Sequence, residues 1–107
     1  MTTSHPLVLA AAAAMDAHDA AALSSLFAAD GWVRDEDSTF VGPAAINTWF
    51  DETTPTTLET IAEADDGTTI TARAHGDYPQ SPLTFRYRFA LTDDAIQSLT
   101  INIADAA

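Results

Sequence analysis

Two rhythms of apolar and polar residues divide the chain. Up to about Asp51 the apolar positions recur at helical spacing, and from Thr56 onward they alternate with polar ones. Leu7 to Met15 (LVLAAAAAM) is rich in alanine, the strongest helix former. Pro6 suits the first turn of a helix, where its missing N–H has no partner to lose. A first helix is therefore expected from Pro6 to about His18. Asp19 can cap a second through its carboxylate. Leu23, Leu26 and Phe27 then fall at i, i+3, i+4, predicting one apolar stripe that ends at Asp30-Gly31. Trp32 to Asp35 and Ser38 to Val41 read as short strands. Gly42-Pro43 opens a third helix, in which Ile46, Trp49 and Phe50 repeat the stripe until the Thr-rich segment around Pro55 stops it.

The alternating half predicts four long strands. Thr56 to Ala64 and Thr68 to Asp77 flank Asp65-Asp66-Gly67, whose Asp-Gly pair is a hairpin signal. In the second of these, Ile70, Ala72 and Ala74 share one face, and Thr71, Arg73, His75 and Asp77 the other. After a Pro-bearing loop, Leu83, Phe85, Tyr87, Phe89 and Leu91 point one way, with Thr84, Arg86, Arg88 and Ala90 opposite. A last strand carries Leu99, Ile101 and Ile103 on one face and Ser98, Thr100 and Asn102 on the other. The order is α-α-β-β-α-β-β-β-β with no internal repeat or linker. It predicts a single α+β domain over residues 1–107: an antiparallel sheet with helices on one face.

Composition narrows the function. In 107 residues, four Lys plus Arg stand against sixteen Asp plus Glu, a net charge of −12, and all four cations are arginines (Arg34, Arg73, Arg86, Arg88). Such an excess of acid repels phosphates, which argues against nucleic acid and anionic membranes as partners. It would also suit a high-salt cytoplasm. The absence of cysteine removes disulfides, thiolate nucleophiles and thiolate metal sites. The run Leu7 to Met15 is too short to span a bilayer, and no Lys or Arg precedes it as a secretory signal requires. A cytoplasmic protein is the expectation.

Several segments resemble one superfamily. Met15-Asp16-Ala17-His18-Asp19 with Ala22 to Asp30 is similar to its helix-helix opening. Val33-Arg34-Asp35 and Phe40-Val41-Gly42-Pro43-Ala44-Ala45-Ile46 resemble the strand and helix start that follow, and Phe89 to Ile96 its closing hairpin. Nearly the whole chain thus resembles the nuclear transport factor 2-like superfamily, which includes ketosteroid isomerases and SnoaL-like polyketide cyclases. The resemblance implies a cone-shaped curved sheet wrapped around an N-terminal helix, an apolar pocket and, often, a homodimer through the sheet face. It does not select among isomerases, cyclases, dehydratases and non-catalytic members.

Under that resemblance Asp35 falls where ketosteroid isomerases keep a proton-transferring Asp, and strand alternation from Val33 turns it inward. A partly desolvated carboxylate is a stronger base. The competing reading of Asp35-Glu36-Asp37 is a solvated acidic turn. The isomerases' oxyanion donors fall on Ala11 and Phe85, and a supporting Tyr on Phe50, so steroid isomerisation by that donor set is not expected. Tyr87, two residues beyond Phe85 on the same strand face, is a substitute donor or else a core tyrosine. Met15, Trp49, Phe50, Leu58 and Phe85 would form the pocket walls, or simply fill the space. His75 and Asp77 offer two metal ligands, too few for a site, and His75 pairs as naturally with a carboxylate. His5 and His18 are expected in solvated positions near helix ends. Arg73, Arg86 and Arg88 could pair across strands with Glu59 and Glu63. No cofactor fingerprint is present.

Three functions stay open: proton transfer, cyclisation or isomerisation of a small carbonyl compound with Asp35 as base; non-catalytic binding of a small apolar or aromatic ligand; and a dimeric scaffold with a filled core.

Overall fold

The structure is a computed structural model that describes residues 5–64, 67–79 and 81–104. Pro6 occupies the first turn of α1 (Pro6–Asp16), and the His5 ring caps it by accepting from the Leu7 N–H at 3.1 Å. The alanines earn their place by size. Val8, Ala11, Ala14 and Met15 form the buried face of α1, and Ala11 is fully enclosed. Asp19 caps α2 (Ala20–Ser25), its Oδ1 accepting from the Ala22 N–H at 3.0 Å. In α3 (Pro43–Asp51), Ile46, Trp49 and Phe50 are the buried stripe that the spacing predicts. Gly42 supplies the N-cap at φ 90°, a conformation open to glycine and strained for other residues.

The strands are β1 (Phe27–Asp35), β2 (Ser38–Val41), β3 (Thr56–Ala64), β4 (Thr69–Gly76), β5 (Leu83–Leu91) and β6 (Ile96–Ile103). They form one six-stranded sheet in the order β2-β1-β6-β5-β4-β3. All neighbours are antiparallel except β1 and β6, which run parallel. This is the α+β cone. Its inner face carries Ile70, Ala72, Tyr87, Phe89, Leu99 and Ile101, which join the buried residues of all three helices in one apolar cluster. Each fully buried aliphatic side chain there, Leu23 and Ile46 among them, contributes about 1.5–3 kcal/mol.

Three local expectations are corrected. The second helix stops at Ser25, five residues before the expected Asp30. Phe27 instead starts β1 opposite Ile96, and the Ile96 N–H donates to the Leu26 carbonyl at 2.8 Å. Sheet pairing outcompetes the helical stripe, although Leu23 and Phe27 are both buried as that stripe requires. The first helix stops at Asp16 rather than His18, because His18 has turned to φ 54°. β4 stops at Gly76, so Asp77 lies beyond the strand and shares no face with His75. A register shift between Thr60 and Ala62 sets Glu63 opposite Ile70. The expected turn at Asp65-Asp66 lies outside the described residues.

The outer sheet face is polar as expected, and it carries a small ion cluster. Arg73 donates to Glu59 Oε1 at 3.1 Å, and His75 Nε2 lies 3.2 Å from the same oxygen. These contacts, the histidine's first and the arginine's next, hold the Glu59 carboxyl below the usual carboxylate range.

Candidate functional site

Asp35 owes its orientation to a tight turn. It pairs with Ser38, which leaves only Glu36 and Asp37 to reverse the chain, and Glu36 takes φ 57° to do so. Glu36 and Asp37 are exposed, while Asp35 is half-buried and turns inward. The acidic triplet is therefore split between solvent and interior. The indole Nε1–H of Trp49 on α3 donates to Asp35 Oδ2 at 3.1 Å, fixing the carboxylate plane from the opposite layer of the fold.

Across the sheet, Asp35 stands beside Ile101 on β6, and Ile101 stands beside Tyr87 on β5. Carboxylate and phenol thus rise from one row on either side of an isoleucine. Two strand spacings separate their backbones by roughly 10 Å, which leaves room between the side chains for a few atoms of a ligand. Burial is the main cause that raises the Tyr87 phenol well above its ordinary value, and the Asp35 charge adds to it, with a smaller push from Tyr78. Tyr87 is therefore a hydrogen-bond donor at any physiological pH. Among the described residues its hydroxyl has no protein acceptor, and Tyr87 lines a cavity.

That cavity has a volume of about 240 Å³, slightly below the usual range of about 300–1,000 Å³ for drug-sized ligands. All seven residues singled out in the sequence line it: Asp35 and Tyr87, with Met15, Trp49, Phe50, Leu58 and Phe85. The aromatic walls come in pairs. Trp49 and Phe50 on α3 have ring centroids 5.6 Å apart, and Phe85 and Tyr87 on β5 6.2 Å apart. Phe40 on β2 stacks behind Trp49 at 5.7 Å. Phe50 and Phe85, where the steroid isomerases carry polar groups, present hydrocarbon, and Ala11 is sealed in the core.

Sequence reasoning missed half of the lining. Ala74, Leu83 and Ile101 could have been found from strand alternation, since each shares the inner face with a residue already chosen. Thr53, Thr54 and Thr56 form a hydroxyl-bearing rim after α3, and Tyr78 closes the far side. The Tyr78 hydroxyl donates to the Ala74 carbonyl and accepts from the Leu83 N–H at 3.0 Å, binding the end of β4 to the start of β5. Leu58 is held by a contact that no spacing announces: its N–H donates to Asp16 Oδ1 at 2.7 Å, tying edge strand β3 to the end of α1. His18 is not in the solvated position expected of it. Its ring packs on Phe50 with centroids 4.9 Å apart, and its Nδ1 is buried without a partner.

The arrangement can accept and donate a proton across a small apolar space. Among the described residues no group of three His, Cys, Asp or Glu is placed to hold a metal ion. No helix among them is long and apolar enough to cross a membrane.

Solved structures share the whole architecture. A Sinorhizobium meliloti protein, provisionally named a polyketide cyclase, is 30% identical over 92% of this chain and 94% of that one, with a TM-score of 0.81. A Catenulispora acidiphila protein with a ketosteroid isomerase-like fold, in complex with trimethylamine, is 23% identical over 95% of this chain and 88% of that one, with a TM-score of 0.77. The Anabaena orange carotenoid protein binding canthaxanthin matches 98% of this chain over 38% of its own length, at 23% identity and a TM-score of 0.81. The last two speak for the fold alone. No protein-family model and no curated protein matches the chain.

Proposed function

This chain belongs to the nuclear transport factor 2-like superfamily, and on that premise we propose that its pocket holds a small apolar carbonyl compound and moves a proton within it. The observation that carries the reading is the row Asp35–Ile101–Tyr87, a carboxylate and a protonated phenol on either side of an apolar floor.

Each group has one task. Trp49 occupies Asp35 Oδ2, so Oδ1 is the oxygen directed at substrate. It takes a proton from a carbon beside the carbonyl. The C–H electron pair becomes a C=C bond, and the carbonyl π electrons move to oxygen, where the Tyr87 O–H stabilises the developing charge. Asp35 then returns its proton to the same carbon, or to another that the delocalised enolate exposes, which is an isomerisation. No cofactor enters this sequence. The trimethylamine complex of the Catenulispora protein is in keeping with a small occupant for such a pocket.

Deuterium exchange into small ketones tests the proposal, with cyclohexanone, phenylacetone and 2-tetralone as probes followed by NMR in D₂O. The wild type is expected to exceed the buffer rate for at least one probe. Asp35→Asn should lose about 10²–10⁴-fold of that excess, as for a general base. No exchange above buffer with any probe would sink the catalytic reading. The Trp49 bond would then favour a second one, in which the carboxylate, held by an indole N–H, anchors a bound ligand without taking its proton.

A further inference from the structure

We infer that the same pocket binds a small alkylammonium cation, with its charge against Asp35 and its N-alkyl groups against Trp49, Phe50, Phe85 and Tyr87. The inference needs the pocket but not the proton transfer. A cation without an acidic C–H would occupy the base and silence it.

The first support is the distribution of charge. Asp35 is the one ionisable group lining the cavity that is charged at neutral pH, and no arginine or histidine lines it among the described residues. All four arginines stand on β1, β4 and β5 at positions of the opposite parity, on the outer sheet face. The carboxylate is half-buried, and among the described residues it has a single neutral side-chain donor, the Trp49 indole, on Oδ2. Buried charges are ordinarily paired with an opposite charge or several donors. Asp35 lines the cavity, so a ligand there can complete the pair.

The second support is the walls. Two aromatic pairs, one on α3 and one on β5, flank the space over Ile101. Aromatic faces attract cations through their quadrupole, most strongly where water is excluded, and an indole is the best of them. A neutral apolar ligand would use the rings and leave the carboxylate uncompensated. A metal ion or a primary ammonium would favour the carboxylate but shed its hydration against hydrocarbon. A tertiary or quaternary alkylammonium uses both, being weakly hydrated, apolar at its surface and positive throughout. The net charge of −12 raises the local concentration of any such cation near the molecule.

Choline and its uncharged carbon isostere 3,3-dimethylbutan-1-ol separate this reading from plain hydrophobic binding. Both are titrated into the wild type at low salt and followed by NMR shifts of the tryptophan indole protons. Choline is expected to bind at least tenfold more tightly than the isostere, with the Trp49 Nε1–H signal among those that move. Asp35→Asn should reduce that preference to less than threefold. Equal affinities in the wild type, or no binding of either compound, would overturn the inference without any variant being made. A choline preference that persists in a folded Asp35→Asn protein would overturn it too, by assigning the effect to the overall field. The ketone exchange assay uses neutral probes, so each reading can fail while the other stands.

Discussion

Tyr87 is a phenol held against ionisation. An unfolded chain releases its tyrosine protons near pH 10, whereas burial and the Asp35 charge keep the folded Tyr87 protonated well above that. The unfolded state is the first to lose the proton as pH rises. The stability tied to this group is therefore whole below about pH 10 and falls as pH climbs toward the folded value. In an ultraviolet titration one of the two tyrosines is expected to ionise late, together with alkaline unfolding, and Tyr87→Phe should delete that late step. Two ordinary phenol steps in the folded protein would contradict a buried Tyr87 and remove the donor from the proposed mechanism. The same group shows why side chains alone do not make a site. A tyrosine on an alternating strand is held as a donor far into alkaline pH first because it is buried, and further because a carboxylate two strands away raises the cost of its anion.

At the scale of elements, the mouth of the pocket depends on a glycine at the end of β4. A Cβ on Gly76 would lie 2.8 Å from the Pro55 carbonyl oxygen and 2.9 Å from Thr56 Cγ2. The carbonyl belongs to the backbone and cannot swing aside as a side-chain tip can. Gly76→Ala is expected to destabilise the fold by about 1–3 kcal/mol, the usual cost of overpacking. Chemical denaturation would show this as a lower midpoint at unchanged slope, and an unchanged midpoint would mean that the Pro55 segment yields freely. Much at this scale is legible in the sequence, because it is written in short periods. The α3 stripe and the period-2 strand β5 each name their buried face, and together they name most of the aromatic lining. Long-range pairing is not legible in that way. The capture of Phe27 by Ile96 ends a helix early, the slip at Thr60 redirects Glu63, and Asp16 reaches Leu58 across the fold. Asp35 lies between these cases: alternation points it inward, but the Trp49 bond that fixes it comes from another layer.

At the scale of the molecule, the positive charge is segregated. Arg34 and Arg88 flank Thr100 in one cross-strand row, Arg86 stands between Thr71 and Asn102, and Arg73 lies between Glu59 and Thr84. We propose that two copies meet through this outer face. Like net charges oppose such an encounter, and salt screens them over about 10 Å at 0.1 M. Light scattering is expected to give twice the single-chain mass, with the dimer fraction rising as salt is added. A single-chain mass at every salt concentration would remove the proposal. The sheet order has a further consequence, for the making of the protein. β6 is the last strand among the described residues, yet it lies in the middle of the sheet between β1 and β5, and Ile101 on it is the floor between Asp35 and Tyr87. While the chain is being synthesised, base and donor have no common frame until β6 has emerged and seated itself. Ligand binding would then report completed folding, and a nascent chain stalled before Ile101 would carry both reactive groups without a site.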